Sequence, residues 1–213
     1  MRIMGKIISN GSYLFICFLC LAMLSVLSGG CSKEKVVTRI GTDTTTDLSG
    51  RWNDTDSREV ATDIIAECLS HPWSSQHMQR SNGELPVVIA GAIRNLGTEH
   101  IPVGTFLGDI EFALINSGRV TVVASASERG ELRLERADQW ENASTETVKK
   151  IGQELGADYM LTGSINTITD SEGGKRTITY QIDLYLTDIE SNVKRWAGQH
   201  KIKKYISTSK YKP

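Results

Sequence analysis

The apolar positions of this chain change period several times, and each change marks an element. Across WNDTDSREVATDIIAECLSHPW, Val60, Ala61, Ile64, Ile65, Cys68 and Leu69 recur at three- and four-residue steps, the stripe of an amphipathic helix. Asp56 and Glu59 have capping-box spacing at its start, and Pro72 ends it. SSQHMQRSNGEL has no such stripe and predicts a polar connector with about one helical turn. PVVIAGAIRN (86–95) is short, apolar and β-branched, the pattern of a buried strand. GTFLGDIEFALINSG (104–118) returns to the helical period, with Phe106, Ile110, Ala113 and Leu114 inward and Asn116-Ser117-Gly118 as its stop. RVTVVAS (119–125) predicts a second strand, and SERGELRLERADQW a charged segment, helical in part. STETVKKIGQELGA (144–157) predicts a helix with Val148, Ile151 and Leu155 on one face, Ser144 as cap and Gly156 as stop. DYMLTGSINTI (158–168) predicts a third strand.

Beyond the turn SEGG (171–174), KRTITYQIDLYLTD alternates strictly. Ile178, Tyr180, Ile182, Leu184 and Leu186 share one face; Thr179, Gln181, Asp183 and Tyr185 share the other. Such a strand covers one face and wets the other, as antiparallel sheets do. IESN (189–192) makes a further turn, and VKRWAGQHKIKKYI is the last strand. The order is helix, strand, helix, strand, helical segments, then three strands. It predicts an α/β (α+β) single domain: a mixed sheet of about four to five strands with helices packed on it, closing in an antiparallel meander.

The first residues have a different pattern. Arg2 and Lys6 form a basic head, Ile7–Gly30 carries no charge, and YLFICFLCLAMLSVL is almost wholly apolar before Ser28, Gly29, Gly30 and Cys31. That is the layout of an export signal over 1–30. A membrane-spanning anchor, which needs about 20 apolar residues, is the rival reading of the same stretch. LSVLSGGCSK resembles a bacterial lipobox, which implies cleavage before Cys31 and lipid attachment to it. The leucine falls one step early, at Leu27, with Ser28 in the usual leucine position. Two or three acyl chains hold a protein stably where one holds it marginally. Residues 31–47 predict a short polar tether, in which VVTRI has the composition of an edge strand. The globular domain then occupies 48–207 and a tail 208–213.

Charge and cysteine content narrow the possibilities. With 24 Lys and Arg against 25 Asp and Glu, nothing in the composition suggests the basic face that nucleic acid requires. Cys17 and Cys20 fall inside the apolar leader and Cys31 at the lipobox, so Cys68 stands alone in the domain and predicts a small core residue without a disulfide. His71, His77, His100 and His200 are scattered and read as ordinary loop histidines rather than zinc ligands. GxSxG, HExxH and P-loop motifs are missing. Ser207–Lys210 matches SxxK without a helix to hold Ser against Lys, and Glu128, Glu131 and Glu135 read as a solvated charged face. No catalytic residue, metal, cofactor or small-molecule substrate is expected. Trp52, Trp73, Trp140 and Trp196 lie near element ends. Trp196 is expected in the core, and Trp73, in a loop after a helix, is the expected partner-facing residue.

Taken in order, a strand ending at Asn95, NSGRVTVV, LGADYMLTGSI and VKRWAGQ behind a lipobox resemble the LpoB family. The resemblance runs from about Val87 to Ile202. It implies an outer-membrane lipoprotein facing the periplasm, whose partner is a class A penicillin-binding protein, a peptidoglycan synthase that it activates. The implied fold is shared with the N-terminal domain of TolB and with CsgG-like lipoproteins. An oligomeric or pore-forming envelope assembly protein is therefore the alternative, with the 158–188 hairpin long enough to cross a bilayer. Enterobacterial members carry a long tether; the short one here keeps the domain close to whichever membrane holds Cys31.

Overall fold

The computed structural model describes residues 35–142 and 154–208. The chain divides into two units, residues 1–42 and 43–213. Of the first, residues 35–42 are described. Val36, Val37 and Ile40 are exposed there and VVTRI forms no strand. The leader, Cys31 and residues 144–153 of the expected 144–157 helix lie outside the described residues.

The second unit opens with helix α1 (Asp54–Ser70), capped one turn earlier than its Asp56/Glu59 spacing predicts. Asn53 is extended, its side chain accepts from the Asp56 amide at 3.0 Å, and its own amide donates to Asp56 Oδ2 at 2.9 Å. The capping box is thus Asn53 with Asp56. Val60, Ala61, Ile64, Ile65, Cys68 and Leu69 are buried, as their period predicts. Helix α2 (Trp73–Arg80) replaces the expected polar connector. Its buried face is Trp73, Ser74 and His77, a short stripe of mostly polar residues that apolar periodicity does not register.

Strand β1 (Val87–Asn95) leads into helix α3 (Val103–Asn116), which buries Phe106, Ile110 and Leu114 and stops at Gly118, φ +62°. Strand β2 is only Thr121–Val122, shorter than RVTVVAS predicts. Its extension is cut off by a second capping box: Ser125 N donates to Glu128 Oε2 at 2.7 Å, and Glu128 N to Ser125 Oγ at 3.4 Å. This opens helix α4 (Ala126–Asn142), which buries no residue. Residues 154–157 are not helical, and Leu155, expected inward, is exposed.

Strands β3 (Tyr159–Glu172), β4 (Lys175–Asp188) and β5 (Lys194–Ser207) form the long meander. The β3–β4 turn places Gly173 and Gly174 at φ +56° and +80°, the two positive values of a type I′ hairpin turn. At the β4–β5 turn, Asp188 accepts from Ser191 N and from the Arg195 guanidinium at 2.8 Å. These donors, the Ser191 amide first, lower its pKa to about 2. The sheet order is β2-β1-β3-β4-β5, with the first three strands parallel and β3, β4 and β5 antiparallel. Helices α1 and α3 pack on one face, over Leu161, Ile165, Ile178, Tyr180, Ile182, Leu184, Leu186 and Trp196. At Gly198 a side chain would meet the Trp196 ring and Ile64 of α1, so glycine lets α1 sit close over β5. This is the expected α+β domain, with four helices and a five-stranded mixed sheet among the described residues.

Candidate docking surfaces

One sheet face is filled by helices, so the chemistry of this domain lies in two polar knots at the sheet ends and two surfaces left uncovered among the described residues. The first knot holds the segment before α1. Lys204 occupies a core-facing position of β5 and is buried. Its ammonium donates to Asp56 Oδ2 at 2.6 Å, Asp47 Oδ1 at 2.7 Å and the Arg51 carbonyl at 3.0 Å. Burial works against the charged form, but the two carboxylates outweigh it and raise the lysine pKa; the same ammonium lowers that of Asp47. Beside it, Glu99 accepts from Trp52 N at 2.9 Å and from the Tyr180 hydroxyl at 2.6 Å. Burial and this carboxylate push the Tyr180 pKa up. Trp52 packs edge-on against Phe106 and Tyr180. A cavity of about 620 Å³ lies between this strap and β5.

The second knot lies at the opposite end of β3. His77 Nδ1 is 3.0 Å from the Tyr159 hydroxyl, and Nε2 is 3.2 Å from Ser81 Oγ and 3.7 Å from Asp158 Oδ2. His77 is therefore a buried bridging residue, not the expected loop histidine. Tyr159 is raised in pKa by burial and keeps its proton. Cys68 is buried, with its thiol pushed up to about 12, so it holds the expected core position in protonated form. No group of three His, Cys, Asp or Glu suited to a metal occurs among the described residues.

Trp73, expected to face a partner, is 2% exposed. Its indole donates to the Cys68 carbonyl at 2.7 Å and its ring packs edge-on against Tyr159 at 5.1 Å. It sits in the core because α2 continues directly from Pro72 and turns it inward. Trp196 is buried as expected, and Trp140 on α4 is exposed. Glu131 and Glu135 are solvated, while Glu128 caps its helix. Ser207 ends β5, and Lys210 lies outside the described residues.

Two surfaces remain. Between α1 and α3 an apolar groove of about 660 Å³ is lined by Ile65, Ala66, Leu69, Phe112 and Ala113. Phe112 is 71% exposed and Ile115 58%. Both stand off the inward stripe of α3, and that displacement in GTFLGDIEFALINSG is the sequence signal that would have found them. The other surface is the sheet face away from the helices. Asp183 lies at its middle, accepting from Gln181, Gln199 and Asn166. Tyr185 beside it carries Lys194 over its ring at 3.7 Å, a cation–π contact.

The chain's sequence matches the family model described as peptidoglycan-synthase activator LpoB over residues 56–202, from α1 through most of β5. The chain belongs to the LpoB family. No curated protein sequence matches it. Among solved structures, Escherichia coli LpoB is 14% identical, covering 82% of this chain and 83% of its own, with a TM-score of 0.39. The LpoB C-terminal domain from Salmonella enterica is 18% identical, covering 62% of this chain and 93% of its own, TM-score 0.32. Lipoprotein GNA1162 from Neisseria meningitidis is 15% identical, covering 59% and 87%, TM-score 0.37. Membership in the LpoB family rests on the sequence match alone.

Proposed function

We propose that this chain is a lipid-anchored, non-catalytic regulator that binds a class A penicillin-binding protein and raises its peptidoglycan synthase activity. The carrying observation is the family match over residues 56–202. The site chemistry supports it: Lys204 and His77, at the centres of the two polar knots, are buried and hydrogen-bonded within them, and Tyr159 and Cys68 are held protonated. Anchoring falls to Cys31. The chain from there to Asp47 reaches at most about 55 Å, so the domain works near its own membrane. Activation by binding requires higher affinity for the synthase's active state than for its inactive state, since equal affinity shifts nothing.

The pore-forming alternative would spend the β3–β4 hairpin on lipid. Its Ile178, Tyr180, Ile182, Leu184 and Leu186 are instead buried in the domain's own core, and nothing favours that reading.

The test is glycan-strand polymerisation from lipid-linked precursor by a purified class A penicillin-binding protein from the same organism. Adding the full chain should raise the rate several-fold and increase cross-linking. No binding and no rate change would sink the proposal. In cells, Cys31→Ala should abolish palmitate incorporation and free the protein from the membrane fraction.

A further inference from the structure

Strand β5 ends the sheet, and its outer edge pairs with nothing among the described residues. At 14 residues it is a long edge, about 47 Å, whose outward backbone groups have no strand partner among the described residues and whose C-terminal half, from His200 to Ser207, borders the cavity under the strap. Proteins guard such edges, often with lysine. After Glu190 the sequence has no further carboxylate side chain, while β5 carries Lys194, Arg195, Lys201, Lys203 and Lys204. Three of these are engaged: Lys204 with Asp47 and Asp56, Arg195 with Asp188, and Lys194 on the Tyr185 ring. Lys201 and Lys203 are exposed and, among the described residues, have no acidic partner. They stand two residues apart, hence on the same uncovered face. The register sets them opposite Gln181 and Thr179, with exposed Tyr205 next along β5. Asp183, the acid nearest that row, is held by three amide side chains.

The geometry points to β5 as the docking strand: an acidic, extended segment of the partner adds to its free edge as a sixth strand, with carboxylates at alternate positions facing Lys201 and Lys203. Strand addition takes affinity from main-chain hydrogen bonds and selectivity from alternate side chains. Lysines that repel a basic strand, and lose hydration without recompense against a neutral one, accept an acidic strand, so the edge is guarded and selective at once. A lipid headgroup would satisfy the two ammonium groups but would not continue a ladder of backbone hydrogen bonds. The partner's identity rests on the activator reading; the docking mode does not.

The test has two arms, both with the full chain in detergent. In the first, an end-blocked peptide of about eight alternating Glu and Val residues is titrated against the chain, with a Lys–Val peptide as control. The acidic peptide alone should bind, and amide hydrogen exchange should slow across 194–207. In the second, the purified synthase replaces the peptide. Lys201→Glu with Lys203→Glu should weaken both interactions at least tenfold, leave the melting temperature unchanged, and remove the β5 protection. If the peptide binds this way and the synthase does not, the activator reading fails and the docking mode stands. If the synthase binds the double variant as well as wild type, or binds wild type without protecting β5, the docking mode is overturned and the activator reading survives. Loss of synthase binding in Phe112→Asp but not in the lysine variant would move the contact to the α1–α3 groove and overturn it too. Lysine-dependent binding to phosphatidylglycerol vesicles, without either protein-like partner engaging β5, would assign the lysines to lipid and do the same.

Discussion

Lys204 stands where the alternation of β5 turns inward, among positions held by Trp196, Ile202 and Ile206. Its ammonium is tolerated there because two carboxylates and a carbonyl surround it. Removing one partner of a buried pair leaves the other charge stranded, a loss of about 3–5 kcal/mol. Lys204→Met should show a loss of that size in urea unfolding, and adding Asp47→Asn and Asp56→Asn should recover part of it. The pH dependence follows from the shifts. The lysine pKa is raised, so its contribution is intact below the ordinary value of 10.5 and is lost as pH climbs through the raised one. The Asp47 pKa is depressed, so its contribution holds above 3.8 and fades as pH falls through the lowered value. Between about pH 5 and 9 the strap should stay equally tight, which urea midpoints across that range will check. Trp73 belongs to the same scale. Trp73→Ala should cost about 3–5 kcal/mol by leaving a cavity against Tyr159, and at temperatures where the variant stays folded, synthase binding should be unchanged.

At the scale of elements, α4 stands apart. Its apolar Leu132, Leu134 and Trp140 are exposed, and Arg133 is tied to Glu154 at 2.7 and 2.9 Å. Its start depends on one capping box, so Ser125→Ala should cost about 1 kcal/mol of local helix stability. Exchange across 126–142 should quicken while the global melting temperature holds. The elements most legible in sequence are those whose burial follows a local period, α1 by its stripe and the β4 face by strict alternation. Helix α2 was illegible because its buried face is joined by hydrogen bonds, from Trp73 to the Cys68 carbonyl and from His77 to Tyr159, rather than by apolar spacing. RVTVVAS promised a full strand because β propensity continues past Val122, where Ser125 and Glu128 have already begun a helix. The strap was illegible for a reason of distance: Asp56 and Asp47 meet Lys204 across 148 and 157 residues of chain.

For the molecule as a whole, every core residue from Trp52 to Trp196 belongs to the unit spanning 43–213. A chain beginning at Asp43 should therefore melt within about 2 °C of one beginning at Cys31, by circular dichroism. The family match begins at Asp56 and so includes the strap's acceptor in α1 but not Asp47. That strap has a mechanical consequence. Under the proposed lipid anchoring, tension on the chain would enter the fold at Asp47, before any helix or strand bears it. Lys204, Glu99 and Tyr180 receive the load together, from β5, the loop after β1, and β4. A pull shared among three elements must shear them at once, whereas one borne by a single contact would peel it away. The strand that takes the first of that force is also the one with its edge open to a partner.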